Sequence, residues 1–176
     1  MNLYIYRLLG AVTLDASMYE GIEHDTSTTG QAALTVVLAS LATGLAFSGQ
    51  AFSIKVILAG AAIAVVLWIA WAVLTLQIGL LVMPVEDTRV TLGELLRTTG
   101  FAAAPGFIQI FAVIPSVARP VQAIAALWTL AAVVIAVRHA LDYRHTSRAV
   151  IVCLMAVSLC VVLAIGLGLL LTRSAS

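Results

Sequence analysis

The chain has 176 residues, of which 62% are hydrophobic and 10% charged, at a mean hydropathy of +1.13. A soluble domain carries about 25% charged residues, so a globule in water is excluded and an integral membrane protein is implied. A net charge of +1 without a clustered basic face gives no case for nucleic acid.

Coding bias adds one pointer: eight arginines, a single lysine (Lys55) and abundant Ala and Val suggest a GC-rich, bacterial genome. Arg7 is followed by only a short apolar run, which Asp15 interrupts without a small-residue cleavage site, so no secretory signal peptide is expected.

The N-terminal stretch has helical rather than spanning character. Ile5, Leu8, Leu9, Val12, Ala16 and Tyr19 fall on one stripe at 100° per residue, with Arg7, Gly10, Thr13 and Ser17 off it. Tyr4 and Tyr6 flank the stripe, as rings do at a headgroup boundary. The expectation is one interfacial amphipathic helix, followed by an acidic linker with Glu20, Glu23, His24 and Asp25; together they make a unit over 1–30. The linker reads as a solvated turn, with a divalent cation or a basic partner as the functional alternative.

A five-helix transmembrane domain is expected over 31–171, with spans at about 31–48, 54–82, 100–118, 121–137 and 149–171 and a short tail at 172–176. Each span is close to the ~20 residues a helix needs to cross a bilayer. Thr28 and Gln31 have the spacing of a capping box that would start the first span. Along that span Ser40, Gly44 and Ser48 recur every fourth residue, a small-residue stripe suited to close helix packing. The second span carries Trp68, Trp71 and one strongly polar interior residue, Gln77.

A loop at 83–90 contains Pro84, Glu86, Asp87 and Arg89. Thr91 and Glu94 then form a second capping-box pattern. It opens a short amphipathic helix with Leu92, Leu95, Leu96 and Thr99 on one stripe and Glu94, Arg97 and Thr98 away from it. The third span contains Pro105, Gly106, Gln109 and Pro115 and is expected to be kinked or broken. Pro120 suits the first turn of the fourth span, and a basic loop at 138–148 precedes the fifth.

Basic residues orient the chain. Arg7, Arg89, Arg97, Arg138, Arg144 and Arg148 fall on one side of a five-span arrangement, against Lys55, Arg119 and Arg173 on the other. This puts the N-terminus in the cytoplasm and the C-terminus outside the cell (inner) membrane.

The chemistry-bearing residues are sparse. No span has an Asp, Glu, Lys, Arg or His near its centre, which argues against a proton- or sodium-coupled transporter. Gln77 and Gln109 read as interhelical packing and hydrogen-bonding residues. His139, Asp142 and His145 would spread too widely on one helix to close a tetrahedral metal site, and their basic neighbours would repel a cation. No HExxH or GxSxG motif is present. Cys153 and Cys160, seven apart on one helix, lie about 10 Å apart along its axis and cannot form a disulfide there. Neither catalysis, a metal nor a cofactor is expected.

Several short segments carry a family resemblance. They are Arg7-Leu8-Leu9-Gly10, Tyr19-Glu20-Gly21-Ile22-Glu23, Gln31-Ala32 and the run Leu92-Gly93-Glu94-Leu95-Leu96-Arg97 leading into Gly100-Phe101-Ala102-Ala103-Ala104-Pro105, with Trp128 further on. In this order the chain resembles bacterial members of the Yip (Ypt-interacting protein) domain family of five-span membrane proteins. The resemblance implies a five-helix bundle with a cytoplasmic N-terminus. Eukaryotic members engage Rab-type GTPases, but this sequence lacks their long polar N-terminal region and Asp-Leu-Tyr-Gly-Pro motif, so that partner is not carried over.

The expected role is a non-enzymatic membrane organiser or accessory subunit, whose partners are membrane lipids and other membrane proteins or copies of itself. The alternative is a small permease or lipid-moving protein. Glu94, Arg97, Gly100, Phe101 and Pro105 form the candidate interaction or hinge element, with Arg97 expected to face cytoplasmic headgroups. Ser40, Gly44, Ser48, Gln77 and Gln109 are the candidate packing residues.

Overall fold

A computed structural model describes the backbone of residues 3–48, 53–85 and 90–174, and the side chains of all of these except 48, 164 and 166–174. The expected features at Glu86, Asp87 and Arg89, the 49–52 part of the first turn and the side chain of Ser48 lie outside the described residues.

Among the described residues the elements are helical. The N-terminal stretch is a hairpin of two helices, α1 (Leu3–Val12) and α2 (Ala16–His24), rather than the single helix expected. Leu14 takes a left-handed φ of 62°, and Asp15 accepts from the Ser17 backbone N–H at 3.0 Å to start the second helix. The face of α1 away from its apolar stripe is the one that packs on the rest of the protein. Its buried residues are Arg7, Gly10 and Ala11, while Leu3, Ile5, Tyr6 and Leu9 are exposed. In a bilayer the apolar stripe of such a helix faces lipid, and its small residues face the protein.

A 3-10 turn (Thr26–Thr28) leads into α3 (Thr29–Ser48). The predicted Thr28–Gln31 capping box does not form. Thr28 is buried and its hydroxyl donates to the Asp25 carbonyl at 2.7 Å, while Asp25 caps the turn and Gln31 accepts from Arg7. Then come α4 (Ile54–Val82), α5 (Leu92–Phe101), a 3-10 segment (Ala104–Val113), α6 (Ala118–Ala140) and α7 (Thr146–Ser174). Four described helices are long and apolar enough to cross a membrane: Thr26–Phe47, Ile54–Val82, Ala118–Ala140 and Thr146–Leu163.

The expected third span, 100–118, is not one helix. α5 ends at Phe101, and Pro105, which has no N–H and would clash with the carbonyl four residues back, starts a 3-10 segment of ten residues. That segment is long for its kind and rises about 20 Å. It runs beside α3 in the same direction, because Gly100 meets Ala32 and Gly106 meets Ala39. α4 and α6 end side by side: Gly79 packs on Leu141, and the Tyr143 hydroxyl donates to the Met83 carbonyl at 3.2 Å.

Small residues make the core. One cluster joins Ala72, Leu95, Val137, Leu141, Tyr143, Val152 and Ala156; the other joins Ala11, Tyr19, Ile22, Ala32, Phe101, Ala104, Ala132 and Ala136. Large aliphatic side chains point outward, Leu81 and Leu127 being 77% and 69% exposed. That inside-out distribution would be costly in water and is normal where the surroundings are lipid.

Candidate functional site

The candidate site is the polar end of the bundle, where α2, the start of α5, the end of α6 and the α6–α7 turn converge. Each part is fixed by local chemistry. Thr91 and Glu94 form the predicted capping box: Thr91 Oγ1 accepts from the Glu94 N–H at 3.3 Å and Glu94 Oε2 accepts from the Thr91 N–H at 2.6 Å. The α6–α7 turn is closed by Asp142 at φ 51°. Arg138 reinforces it, donating to the carbonyls of Tyr143 and Arg144 and to the Thr146 hydroxyl at 3.3–3.4 Å.

Two arginines staple the N-terminal hairpin to this end. Arg7 is 8% exposed and donates to Asp25 Oδ2 at 2.5 Å and to Gln31 Oε1 at 3.1 Å. Asp25 also accepts from the side chain and backbone of Ser27, and these bonds followed by Arg7 hold its carboxyl below the usual range. Arg97 is 6% exposed and directs both Nε, at 3.0 Å, and Nη2 onto the backbone carbonyl of Glu23. It therefore does not face headgroups as expected; it ties α5 to the end of α2. Because α5 packs against α2, α3, α4 and α6, Thr98 is buried as well, and the helix is interior rather than interfacial.

Between these elements lies a cleft of about 560 Å³ lined by Glu20, Glu23, His24, Glu94, Arg138, His139, Asp142 and Arg144, with Val90 and Tyr143. His139 Nδ1 stands 3.7 Å from Glu20 Oε1. The Glu23 carboxyl is pushed up to about 7, first by burial and then by Asp142 and Glu94, against the opposing pull of His24 and Arg97. Among the described residues its carboxylate has no hydrogen-bond or ion-pair partner. Sequence reasoning treated the acidic linker and the basic loop as separate features. Their opposite charges were the available signal that they meet, and His145 is the one member of the loop triad that does not line the cleft.

The rest of the predicted element leads inward from this end. A Cβ on Gly100 would lie 2.7 Å from Ala32 Cβ and 3.1 Å from the Ala32 carbonyl carbon, so Gly100 is a point of backbone contact. Phe101 is fully buried and meets Tyr4 edge-on, with ring centroids 6.1 Å apart. Pro105 is buried at the start of the 3-10 segment. Two contacts were not legible beforehand. The Trp68 indole donates to Thr99 Oγ1 at 3.1 Å, and the Trp128 indole donates to the Val12 carbonyl at 2.8 Å, which pins α1 against the middle of α6.

The predicted packing residues divide. Ser40 and Gly44 line an open groove of about 470 Å³ between α3 and α4, with Ile57 and Gly60 opposite. Gln77 is exposed on α4, near its end, and Gln109 is half-buried on the 3-10 segment beyond Gly106. The two amides do not meet inside the bundle, because they sit toward opposite ends of it. Among the described residues no group of three His, Cys, Asp or Glu is placed to hold a metal ion.

The Yip1 domain family model matches residues 16–167, from the start of α2 through most of α7. No curated protein and no solved structure matches the chain.

Proposed function

This chain belongs to the Yip1 domain family, and from that premise we propose that it is a non-enzymatic organiser of a bacterial inner membrane. It would act as an adaptor or accessory subunit through the polar end of its bundle. One observation carries the reading: among the described residues both ion pairs lie at that end, where two buried arginines and a capping box hold a cleft open, while the spans have no Asp, Glu, Lys, Arg or His near their centres. Such an end suits recognition of another protein, and such spans suit residence in lipid.

The proposal includes five crossings with a cytoplasmic N-terminus. Its support is the parallel run of α4 and α6: the chain between them has to return across the bundle, and α5 with the 3-10 segment does so alongside α3. The arginine-rich end is then the cytoplasmic one. A compartment-sensitive reporter fused after Ser176 is expected outside, and one inserted at His145 inside; both on one side would overturn this topology.

Lipid movement is the second reading, favoured by the ten-residue 3-10 segment, a geometry often found at functional hinges, and by the open α3–α4 groove. Native mass spectrometry of protein extracted gently from its own membrane separates the two. A stoichiometric protein partner supports the organiser, and retained lipid without protein supports lipid movement.

A further inference from the structure

We propose that the α1–α2 hairpin is acid-latched: the seam between α2 and the bundle holds it more tightly as pH falls and loosens it as pH rises. This goes beyond the organising role and does not depend on the identity of any partner. The argument rests on how the seam is built. Two features of it are built from acidic and basic groups: a histidine–carboxylate approach and a cluster of carboxylates lining one cleft.

The first is Glu20 of α2 against His139 of α6, 3.7 Å apart. An imidazolium pairs with the carboxylate, and a neutral imidazole does not. The second is Glu23 of α2, whose carboxylate faces Glu94 on α5 and Asp142 in the α6–α7 turn. A proton on Glu23 removes repulsion from both neighbours and the cost of burying a charge.

The remaining charged groups around Glu23 do not reverse this. His24, beside it on α2, and Arg97, on α5, both favour the ionised form, yet burial and the two carboxylates outweigh them and Glu23 titrates near 7. Arg138 is engaged with the turn, Arg144 is exposed at the cleft's rim, and the Tyr143 hydroxyl is held by Met83. The sign follows from linkage. The docked hairpin holds a proton on Glu23 that a free one would release from its ordinary value of 4.5 upward. Extra docking strength is therefore complete below that value and is lost as pH rises through about 7. The hydrogen bonds from Arg97 to the Glu23 carbonyl and from Trp128 to the Val12 carbonyl keep the loosened hairpin in place.

The test is hydrogen exchange of the full chain in phosphatidylethanolamine–phosphatidylglycerol nanodiscs at about pH 5.5 and about pH 8, corrected for the intrinsic pH dependence of exchange. The α2 amides are expected to be roughly tenfold or more better protected in acid, one pH unit of linkage being a tenfold effect, while the middle of α4 is unchanged. Glu23→Gln, which leaves the carbonyl that Arg97 binds, should remove most of the difference, and adding His139→Gln the rest. Asp142→Asn is the second probe and should shift the transition to lower pH. Equal α2 protection at both pH values, or a wild-type difference surviving in the Glu23→Gln/His139→Gln double variant, would overturn the proposal.

Discussion

The two ends of the α3–α4 pair are held together by different means. At the polar end, where α3 begins, α5 and α4 close on it through backbone contact at Gly100 and the Trp68–Thr99 hydrogen bond, with buried Arg7 tying α1 to α3 and buried Arg97 tying α5 to α2. At the other end, α3 and α4 are parted by a groove whose walls are Ser40, Gly44, Ile57 and Gly60. The polar end is specified by directional bonds and contacts that accept no substitute; the far end is specified by little beyond small, apolar surface. Sequence features that look alike, a glycine in each helix, therefore carry different weight.

The sharpest way to break that contrast is to add the same methyl group at both ends. A Cβ at Gly100 meets Ala32 Cβ at 2.7 Å, the Trp68 ring at 2.9 Å and backbone at 3.1 Å. The backbone cannot yield as a side chain could, so Gly100→Ala is expected to lose about 3 kcal/mol, the upper end for overpacking. Its thermal unfolding midpoint in detergent should fall well below that of every other variant considered. If Gly100→Ala matches wild type, the close approach of α5 to α3 is wrong.

Arg97→Ala is next. It strips the Glu23 carbonyl of its charged donor and leaves a buried space between α2 and α5. A loss of about 2 kcal/mol is expected, typical for a hydrogen bond to a charged group, together with reduced membrane abundance. Arg97→Lys should recover only part of it, since one ammonium cannot reproduce two guanidinium N–H groups from that position. An Arg97→Ala protein as stable and abundant as wild type would return this residue to the headgroup-facing role read from the sequence.

That reversal illustrates what was legible. The four long helices could be read because a bilayer demands about 20 apolar residues in a row, and little else satisfies that. The Thr91–Glu94 cap could be read because both partners lie within one turn. The direction of α1 could not: its apolar stripe was a true pattern, but amphipathicity does not say whether the apolar side meets protein or lipid, and here Arg7 points inward while Ile5 and Leu9 point out. Pro105 and Gly106 announced a break in the third span without announcing a 3-10 path. Arg97 could not be placed either, because its partner is a backbone carbonyl 74 positions away and carbonyls leave no trace in a sequence. The cleft failed to appear for a related reason: its two halves, the acidic linker and the basic loop, are joined only by the fold.

The smallest effects belong to the far end and the outer surface. At Gly44 the three nearest atoms to the added methyl all belong to Ile57, whose Cγ2 lies 3.3 Å away on a side chain bordering open groove. A shift of Ile57 by a few tenths of an ångström toward the groove relieves that contact, and alanine gains up to about 1 kcal/mol in helix propensity over glycine. Gly44→Ala should therefore stay within about 0.5 kcal/mol of wild type, as variants away from packed features do. A loss comparable to that of Gly100→Ala would show that the stripe is a tight helix contact after all and would erase the distinction between the two ends.

Gln77 sharpens the comparison from the lipid side. The sequence placed its amide inside the bundle, where an interhelical hydrogen bond would make it worth about 1 kcal/mol. On α4 it is exposed instead, beside Leu80 and Leu81, which are exposed too. Replacing it by leucine removes a polar group from an outward apolar surface and opens no cavity. Gln77→Leu is thus expected to leave the unfolding midpoint unchanged or slightly raised. A clear fall, with Gln109→Leu producing the same fall and no further loss in the double variant, would mean that the two amides do share a hydrogen bond. The packing of α4 and the 3-10 segment would then have to be redrawn around that pair.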